Sequence, residues 1–161
     1  MSELTLAFVQ AALNAPVSAQ ADAATRIITD SRQAEAGDVF VALVGEQFDG
    51  HDYVADVLAK GALAAVVSRE DCAALPRALS VADALQALQT LAQAWRENVN
   101  PFVFGITGSS GKTTVKEMLA EVLRQRFGEA AVLATAGNFN NHIGLPLTLL
   151  KLTGAHRYAV I

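Results

Sequence analysis

The ten residues Gly105-Ile106-Thr107-Gly108-Ser109-Ser110-Gly111-Lys112-Thr113-Thr114 constrain this chain more than any other stretch. They stand between an apolar run, Phe102 to Thr107, that reads as a buried-type strand, and a segment in which Val115, Met118, Leu119, Val122 and Leu123 recur at helical spacing. A glycine-rich turn between a strand and a helix belongs to an α/β architecture, and each residue type has a task in it. Gly108 and Gly111 admit positive φ and let a phosphate approach the backbone. The N–H groups of Ser109 to Thr113 can converge at a helix N-terminus, where the dipole favours an anion. Lys112 suits the β- and γ-phosphates of a nucleotide, and the Thr113 hydroxyl suits Mg²⁺. The common spacing puts a glycine five residues before Gly111, where this chain has Ile106, so the match is to a shorter G-x-x-G-K-T form. An ordinary Gly/Ser turn that happens to precede a lysine would leave the coincidence of strand, loop and helix unexplained. The loop implies ATP or GTP and is silent on what the energy is used for.

Downstream, the rhythm is β-α-β-α-β. Ala131 to Thr135 reads as a second strand, Ile143 to Leu152 as a helix, and Tyr158 to Ile161 as the start of a third strand, which together predict a parallel sheet covered by helices. Three strands make a marginal core, because small domains bury too little. The expectation is therefore that these residues are the front of a larger domain.

Upstream, Leu4 to Leu13 reads as a helix ended by Ala15-Pro16, Arg26 to Ile28 and Val39 to Val44 as strands, Asp52 to Lys60 as a helix stopped by Gly61, and Ala64 to Ser68 as another strand. A long amphipathic helix follows, with Leu85, Leu88, Leu91, Ala92 and Trp95 on one stripe and Asp83 and Gln86 spaced as a capping box. It ends at Glu97-Asn98-Val99-Asn100-Pro101, because the residue before proline is pushed out of the helical region. The expected division is a small α/β domain over residues 1–99 and the beginning of a parallel-sheet phosphate-loop domain over residues 100–161.

Composition narrows the classes of function. With 52% hydrophobic and 17% charged residues the chain can bury a core, which excludes a disordered tail. Residues 1–100 carry 6 Lys and Arg against 13 Asp and Glu, and residues 101–161 carry 6 against 3. Neither half has the concentrated basic surface of a nucleic-acid binder, whereas a mildly basic second half suits a small phosphorylated ligand. No run is long enough for a membrane helix, and the start lacks the basic residues of a secretory signal. Cys72 is the single cysteine, so no internal disulfide can form, and a reducing, cytoplasmic setting is expected.

Two further polar clusters follow predicted strands. In Gly137-Asn138-Phe139-Asn140-Asn141-His142-Ile143-Gly144, the asparagines either line a ligand crevice at the strand ends or serve as a turn capping the next helix. In the first half, Thr29-Asp30-Ser31-Arg32 and Gly45-Glu46-Gln47-Phe48-Asp49-Gly50-His51 offer a guanidinium for a carboxylate or diphosphate and a ring that can stack on a base. Ordinary turn chemistry is the alternative for both.

Taken together, T-D-S-R, G-D-V-F-V-A-L-x-G, D-G-H-D-Y, I-T-G-S-S-G-K-T-T-V-K-E and G-N-F-N-N-H-I-G-L-P-L-T-L-L resemble the Mur ligases of peptidoglycan synthesis, in order and spacing, from about Thr25 to Ile161. The resemblance implies an ATP-dependent acid–amino-acid ligase with a UDP-holding N-terminal domain, a central ATPase domain and a C-terminal Rossmann-like domain. Carried over by position, Ser31, Arg32, Gln47, Phe48 and Asp49 would lie near the uridine diphosphate. Gly108, Ser109, Ser110, Gly111, Lys112, Thr113 and Thr114 would wrap the ATP triphosphate, with Lys112 on the transferred phosphoryl group and Thr113 on Mg²⁺. Asn138, Asn140 and Asn141 would line the crevice for the muramoyl peptide.

Within that family, Ser-Ser in the loop, Val-Lys-Glu after it and the N-F-N-N run favour the member that joins D-alanyl-D-alanine to UDP-MurNAc-tripeptide over the one that adds the third residue. The resemblance further implies a monomer at full length, with no nucleic-acid partner and no membrane insertion. It also places a Mg²⁺-binding Glu, a catalytic His, a modified Lys and the dipeptide-binding domain beyond Ile161, so the 161 residues are expected not to ligate alone. A nucleotide-switch module is the competing reading from another class; it predicts no uridine-nucleotide site over residues 25–55. A structural module with an empty loop leaves the loop's residue choice unexplained.

Overall fold

The computed structural model describes residues 3–15, 25–137 and 141–161, which pack as two compact units, Glu3–Leu91 and Ala92–Ile161. The first unit opens with helix α1 (Leu6–Leu13), whose N-cap Thr5 accepts the Phe8 amide and whose chain leaves through Asn14 in the left-handed conformation. Pro16, expected to end this helix, lies outside the described residues. Strands β1 (Ile27–Ile28) and β2 (Val39–Val41) precede helix α2 (Val54–Ala59), strand β3 (Ala64–Val67), a single helical turn α3 (Glu70–Ala73) and strand β4 (Ala78–Ser80). All four strands are parallel in the order β1-β2-β3-β4, with Ile27 beside Val39, Val39 beside Ala64 and Val66 beside Leu79.

Every residue of β2 and β3 is buried, as a parallel sheet covered on both faces requires. Phe40, Ala42, Ala65 and Val67 pack with Val54, Val57 and Leu58 of α2 on one face, and the alternate residues Val39, Val41, Ala64 and Val66 are fully buried on the other. Two spans differ from the sequence reading. The strand expected to reach Val44 stops at Val41, because the chain swings out and Val44 pairs back on Asp49. The helix expected from Asp52 starts as a 3₁₀ turn, Gly50–Tyr53, before becoming α-helical at Val54.

Helix α4 (Ala84–Val99) runs across the boundary between the units. Asp83 Oδ1 accepts the Gln86 amide at 3.0 Å, the cap expected from the sequence, and Asn100 ends the helix in the left-handed region before Pro101. In the second unit, buried Trp95 donates its indole N–H to the Leu152 carbonyl at 2.9 Å. Strand β5 (Phe102–Phe104), helix α5 (Lys112–Phe127), strand β6 (Val132–Ala134), helix α6 (Gly144–Leu149) and strand β7 (Tyr158–Val160) realise the expected β-α-β-α-β alternation. The three strands are parallel, and β7 sits between β5 and β6.

Two expectations in this unit are corrected. Strand β5 is an edge rather than a buried strand, and Phe102 is 63% exposed. Helix α5 buries Lys116, Ala120 and Leu123 against the sheet, whereas Val115, Met118 and Val122 of the expected stripe are exposed. The stripe spans two adjacent seams of the helix, and the three-stranded sheet covers one of them.

Candidate functional site

The first unit holds a cleft of about 460 Å³ beyond the end of β1, lined by Thr29, Ser31, Arg32, Phe40, Phe48 and Tyr53 among others. Phe40, Phe48 and Tyr53 give it aromatic surface, and Asp30 and Arg32 stand in its lining as an ion pair. The rim is built by a short turn: Asp30 caps the 3₁₀ segment Ser31–Gln33 by accepting the Arg32 amide at 3.0 Å. The same carboxylate takes the Arg32 guanidinium in a bidentate pair, Nε to Oδ1 at 2.9 Å and Nη2 to Oδ2 at 2.7 Å. Those Arg32 hydrogen bonds hold the Asp30 carboxyl down at about 2. Arg32 therefore stays oriented while its side chain is 88% exposed at the mouth. A second hollow of about 400 Å³ shares Ser31, Arg32 and Tyr53 and adds Lys60, whose ammonium donates to the Ser31 carbonyl at 3.1 Å.

The opposite wall is the excursion from Leu43 to Gly50. Gly45 N–H donates to the Phe48 carbonyl at 2.9 Å and Gly50 N–H to the Leu43 carbonyl at 2.8 Å, which closes the loop and leaves the Phe48 ring 67% exposed. Gly50 has to be glycine, since a Cβ there would lie 2.8 Å from the Leu43 carbonyl oxygen. Beneath the loop, Asp49 Oδ1 accepts from the His51 amide at 2.9 Å and faces His51 Nδ1 at 2.6 Å, and Asp49 Oδ2 accepts from Arg69 at 3.0 Å. Burial works to raise the Asp49 carboxyl, but these hydrogen bonds outweigh it and hold the group below the usual range.

Of the first-half residues expected near a nucleotide, the structure brings Ser31, Arg32 and Phe48 to one cleft. Asp49 spends its carboxylate on the internal network, and Gln47 is exposed on the loop, outside the residues that line the cleft. Tyr53 and Phe40 are the additions that sequence reasoning missed. Tyr53 lies within D-G-H-D-Y, and the structure buries His51 of the same motif.

The second unit carries the glycine-rich loop between β5 and α5. Gly111 stands at the N-cap with φ of +75°, no side chain caps the helix, and Gly108 has φ of +150°. The helix thus starts without a side-chain cap over its first turn, the arrangement in which an anion can approach a helix N-terminus. Lys112 begins the helix, and its ammonium donates back to the Gly108 carbonyl, folding over the loop. Thr113 and Thr114 occupy the exposed first turn. Among the described residues there is no cluster of three acidic, His or Cys side chains that could hold a metal. A cation here would take the Thr113 hydroxyl and otherwise depend on phosphate oxygens and water, a donor set that suits Mg²⁺.

At the end of β6 the asparagine cluster is only partly described: Asn138 and Asn140 lie outside the described residues. Asn141 has a structural task, its Oδ1 accepting the Ile143 amide at 3.1 Å and the Gly144 amide at 2.6 Å to cap α6. Among the described residues, no helix is long and apolar enough to cross a membrane.

Comparison with known proteins agrees with both units. The Mur ligase family catalytic-domain model matches residues 24–96, and the Mur ligase middle-domain model matches residues 106–161. The UDP-N-acetylmuramoyl-tripeptide–D-alanyl-D-alanine ligase of Haemophilus influenzae is 50% identical over 137 residues, covering 84% of this chain and 30% of the relative. The Escherichia coli enzyme of the same name is 44% identical over 161 residues, covering 100% of this chain and 35% of its own. The chain thus spans about a third of the length of the curated relatives it matches. Among solved structures, MurF from Acinetobacter baumannii superposes with a TM-score of 0.85 at 42% identity, over 100% of this chain and 36% of that one. A Thermotoga maritima MurF ligase solved in complex with ADP gives a TM-score of 0.75 at 37% identity, over 84% of this chain and 31% of that one.

Proposed function

The chain belongs to the Mur ligase family, and on that premise we propose that it supplies the uridine-nucleotide site and the ATP-phosphate site of a ligase joining D-alanyl-D-alanine to UDP-MurNAc-tripeptide. The observation that carries this reading is the presence in one chain of two different nucleotide-shaped features. One is an aromatic cleft with the exposed Arg32 guanidinium at its mouth; the other is an uncapped glycine-rich helix start with a lysine folded over it. In this reading residues 1–99 are the substrate domain and residues 100–161 the front of the ATP-binding domain.

In the first site Phe48 stacks on the uracil ring, a contact worth about 1–3 kcal/mol per base. Arg32 and the Ser31 hydroxyl take the diphosphate, with Gln47 within reach on the same loop. In the second, the loop amides of Ser109 to Thr114 and the Lys112 ammonium take the ATP phosphates, and Thr113 holds Mg²⁺, which neutralises phosphate charge when bound. The asparagines Asn138, Asn140 and Asn141 belong to the muramoyl-peptide side.

The reaction proceeds in two displacements. A carboxylate oxygen of the peptide attacks the γ-phosphorus and ADP leaves, giving an acyl phosphate. The amine of D-alanyl-D-alanine then attacks the acyl carbon, inorganic phosphate leaves, and an amide bond has formed. The task of Lys112 and the loop amides is positioning and stabilisation of charge on the transferred phosphoryl group. The protein is read as a cytoplasmic monomer without nucleic-acid partners or membrane insertion.

The test is a ligation assay on a protein of the relatives' full length carrying these residues, with UDP-MurNAc-tripeptide, D-alanyl-D-alanine and Mg-ATP. The expected product is the UDP-linked pentapeptide with one ADP and one phosphate per bond, lost on Lys112→Ala. ATP hydrolysis that is indifferent to the muramoyl substrate would overturn the reading.

A further inference from the structure

Lys116 lies four residues beyond Lys112 on the same side of α5, yet only 5% of it is exposed. Its ammonium donates to the Thr135 carbonyl at 2.5 Å and to the Gly137 carbonyl at 2.7 Å. The nearest carboxylate, on exposed Glu117, is 3.6 Å away, too far for a direct hydrogen bond. Taking an ammonium out of water is costly, and an apolar side chain of the same length would fill the space without that cost. What an apolar side chain could not do is donate to two main-chain carbonyls at once and so join the end of β6 to the turn that follows it. The site is polar beyond those carbonyls as well, since the Thr135 hydroxyl is buried there with no hydrogen-bond partner among the described residues.

The place of these carbonyls in the chain gives the bond its consequence. Thr135 follows the last residue of β6, Gly137 turns the chain with φ of +53°, and Asn138 comes next. At the other end of the segment Asn141 is tied to α6 through its cap. We propose that Lys116 is a positioning residue for the ligation reaction: it fastens the turn leading into Asn138–Asn141 to the phosphate-loop helix, so that the nucleotide and the muramoyl peptide are held in one frame. The inference rests on the ligase reading above. It assigns Lys116 no contact with either substrate.

Three forms of the full-length ligase separate this role from simple stability: the parent, Lys116→Met, which keeps the length and loses the donors, and Lys116→Arg, which can still donate to two carbonyls. Small misplacements of a reactant carry large kinetic costs, so Lys116→Met is expected to raise KM for UDP-MurNAc-tripeptide by about tenfold or more and to lower kcat. KM for ATP should stay within about threefold, and Lys116→Arg should recover most of the loss. A lysine that merely stabilised the fold would reduce the active fraction and leave both KM values unchanged, which would overturn the inference, as would an equal rise in both. If Lys116→Met is insoluble, Lys116→Gln takes its place with the same expectation. A parent that makes no pentapeptide rejects the ligase reading and this inference with it, whereas an active parent beside unchanged variants rejects the inference alone.

Discussion

His51 Nδ1 lies 2.6 Å from Asp49 Oδ1, and the other ring nitrogen, Nε2, accepts the Ser68 amide at 2.9 Å. A backbone amide can only donate, so Nε2 carries no proton and Nδ1–H is the donor to Asp49. The ring thereby ties the base of the Phe48 loop to the residue following β3. Replacing His51 with Ala leaves the Ser68 amide unpaired, takes one of two donors from Asp49 Oδ1, which keeps the backbone amide of residue 51, and is expected to cost about 1–3 kcal/mol in denaturant unfolding. It should also weaken UDP binding, because Phe48 loses its support. Loss of UDP affinity in Asp49→Asn but not in His51→Ala would mean instead that Asp49 touches the ligand directly.

The carboxylates of this unit set an acid limit. Asp30 is held at about 2 against an ordinary 3.8, and Asp49 and Asp71 are also held low, Asp71 by hydrogen bonding from Arg69. A carboxyl whose folded pKa is depressed contributes stability above its unfolded pKa and loses it as pH falls through the folded value. The contribution of Asp30 is therefore complete above pH 3.8 and disappears toward about pH 2. Thermal melts from pH 6 downward should show the midpoint falling below about pH 4, with a shallower fall in Asp30→Asn. A midpoint that rises on acidification would refute the assignment.

The aromatic and cationic walls of the cleft should separate with a ladder of ligands. Phe48→Ala is expected to weaken uridine and UDP alike, because both carry the base. Arg32→Ala is expected to weaken UDP by about tenfold while leaving uridine nearly unchanged, since only UDP carries the diphosphate the guanidinium would bind, and solvent exposure limits the loss. Isothermal titration with the two ligands reads both effects, and equal losses for uridine in both variants would contradict the arrangement.

The two seams of α5 should respond oppositely. Leu123→Ala removes a buried side chain and is expected to cost about 2–5 kcal/mol. Met118→Lys changes a residue that is 65% exposed and should stay within about 0.5 kcal/mol in this chain. Urea denaturation of the two variants checks the pair. A large loss in Met118→Lys would show that the outer seam is covered.

The difference between the seams shows what the residues alone make legible. Lys112 and its glycines announce the strand–loop–helix architecture, because a glycine-rich helix start without a side-chain cap tolerates few residue types. Asp83 likewise marks the beginning of α4, since a cap acts within three residues of its target. Periodicity was misleading in α5, where two apolar seams adjoin and only the tertiary partner decides which is buried. A lysine on the inward seam reads as a surface charge until the two carbonyls it meets, nineteen and twenty-one residues away, are placed beside it. Tyr53 and Asp49 show the same limit. Composition places both on one polar turn, but the buried ring of His51 turns Asp49 inward, and Tyr53 is left on the cleft.

The central claim is that one chain carries two separate nucleotide sites, and titration calorimetry with UDP and then Mg-ADP, on the parent and on Lys112→Ala, tests it most directly. The expected result is UDP binding to both proteins and Mg-ADP binding to the parent alone. Mg-ADP binding without any UDP binding, or UDP binding that vanishes with Lys112, would contradict it.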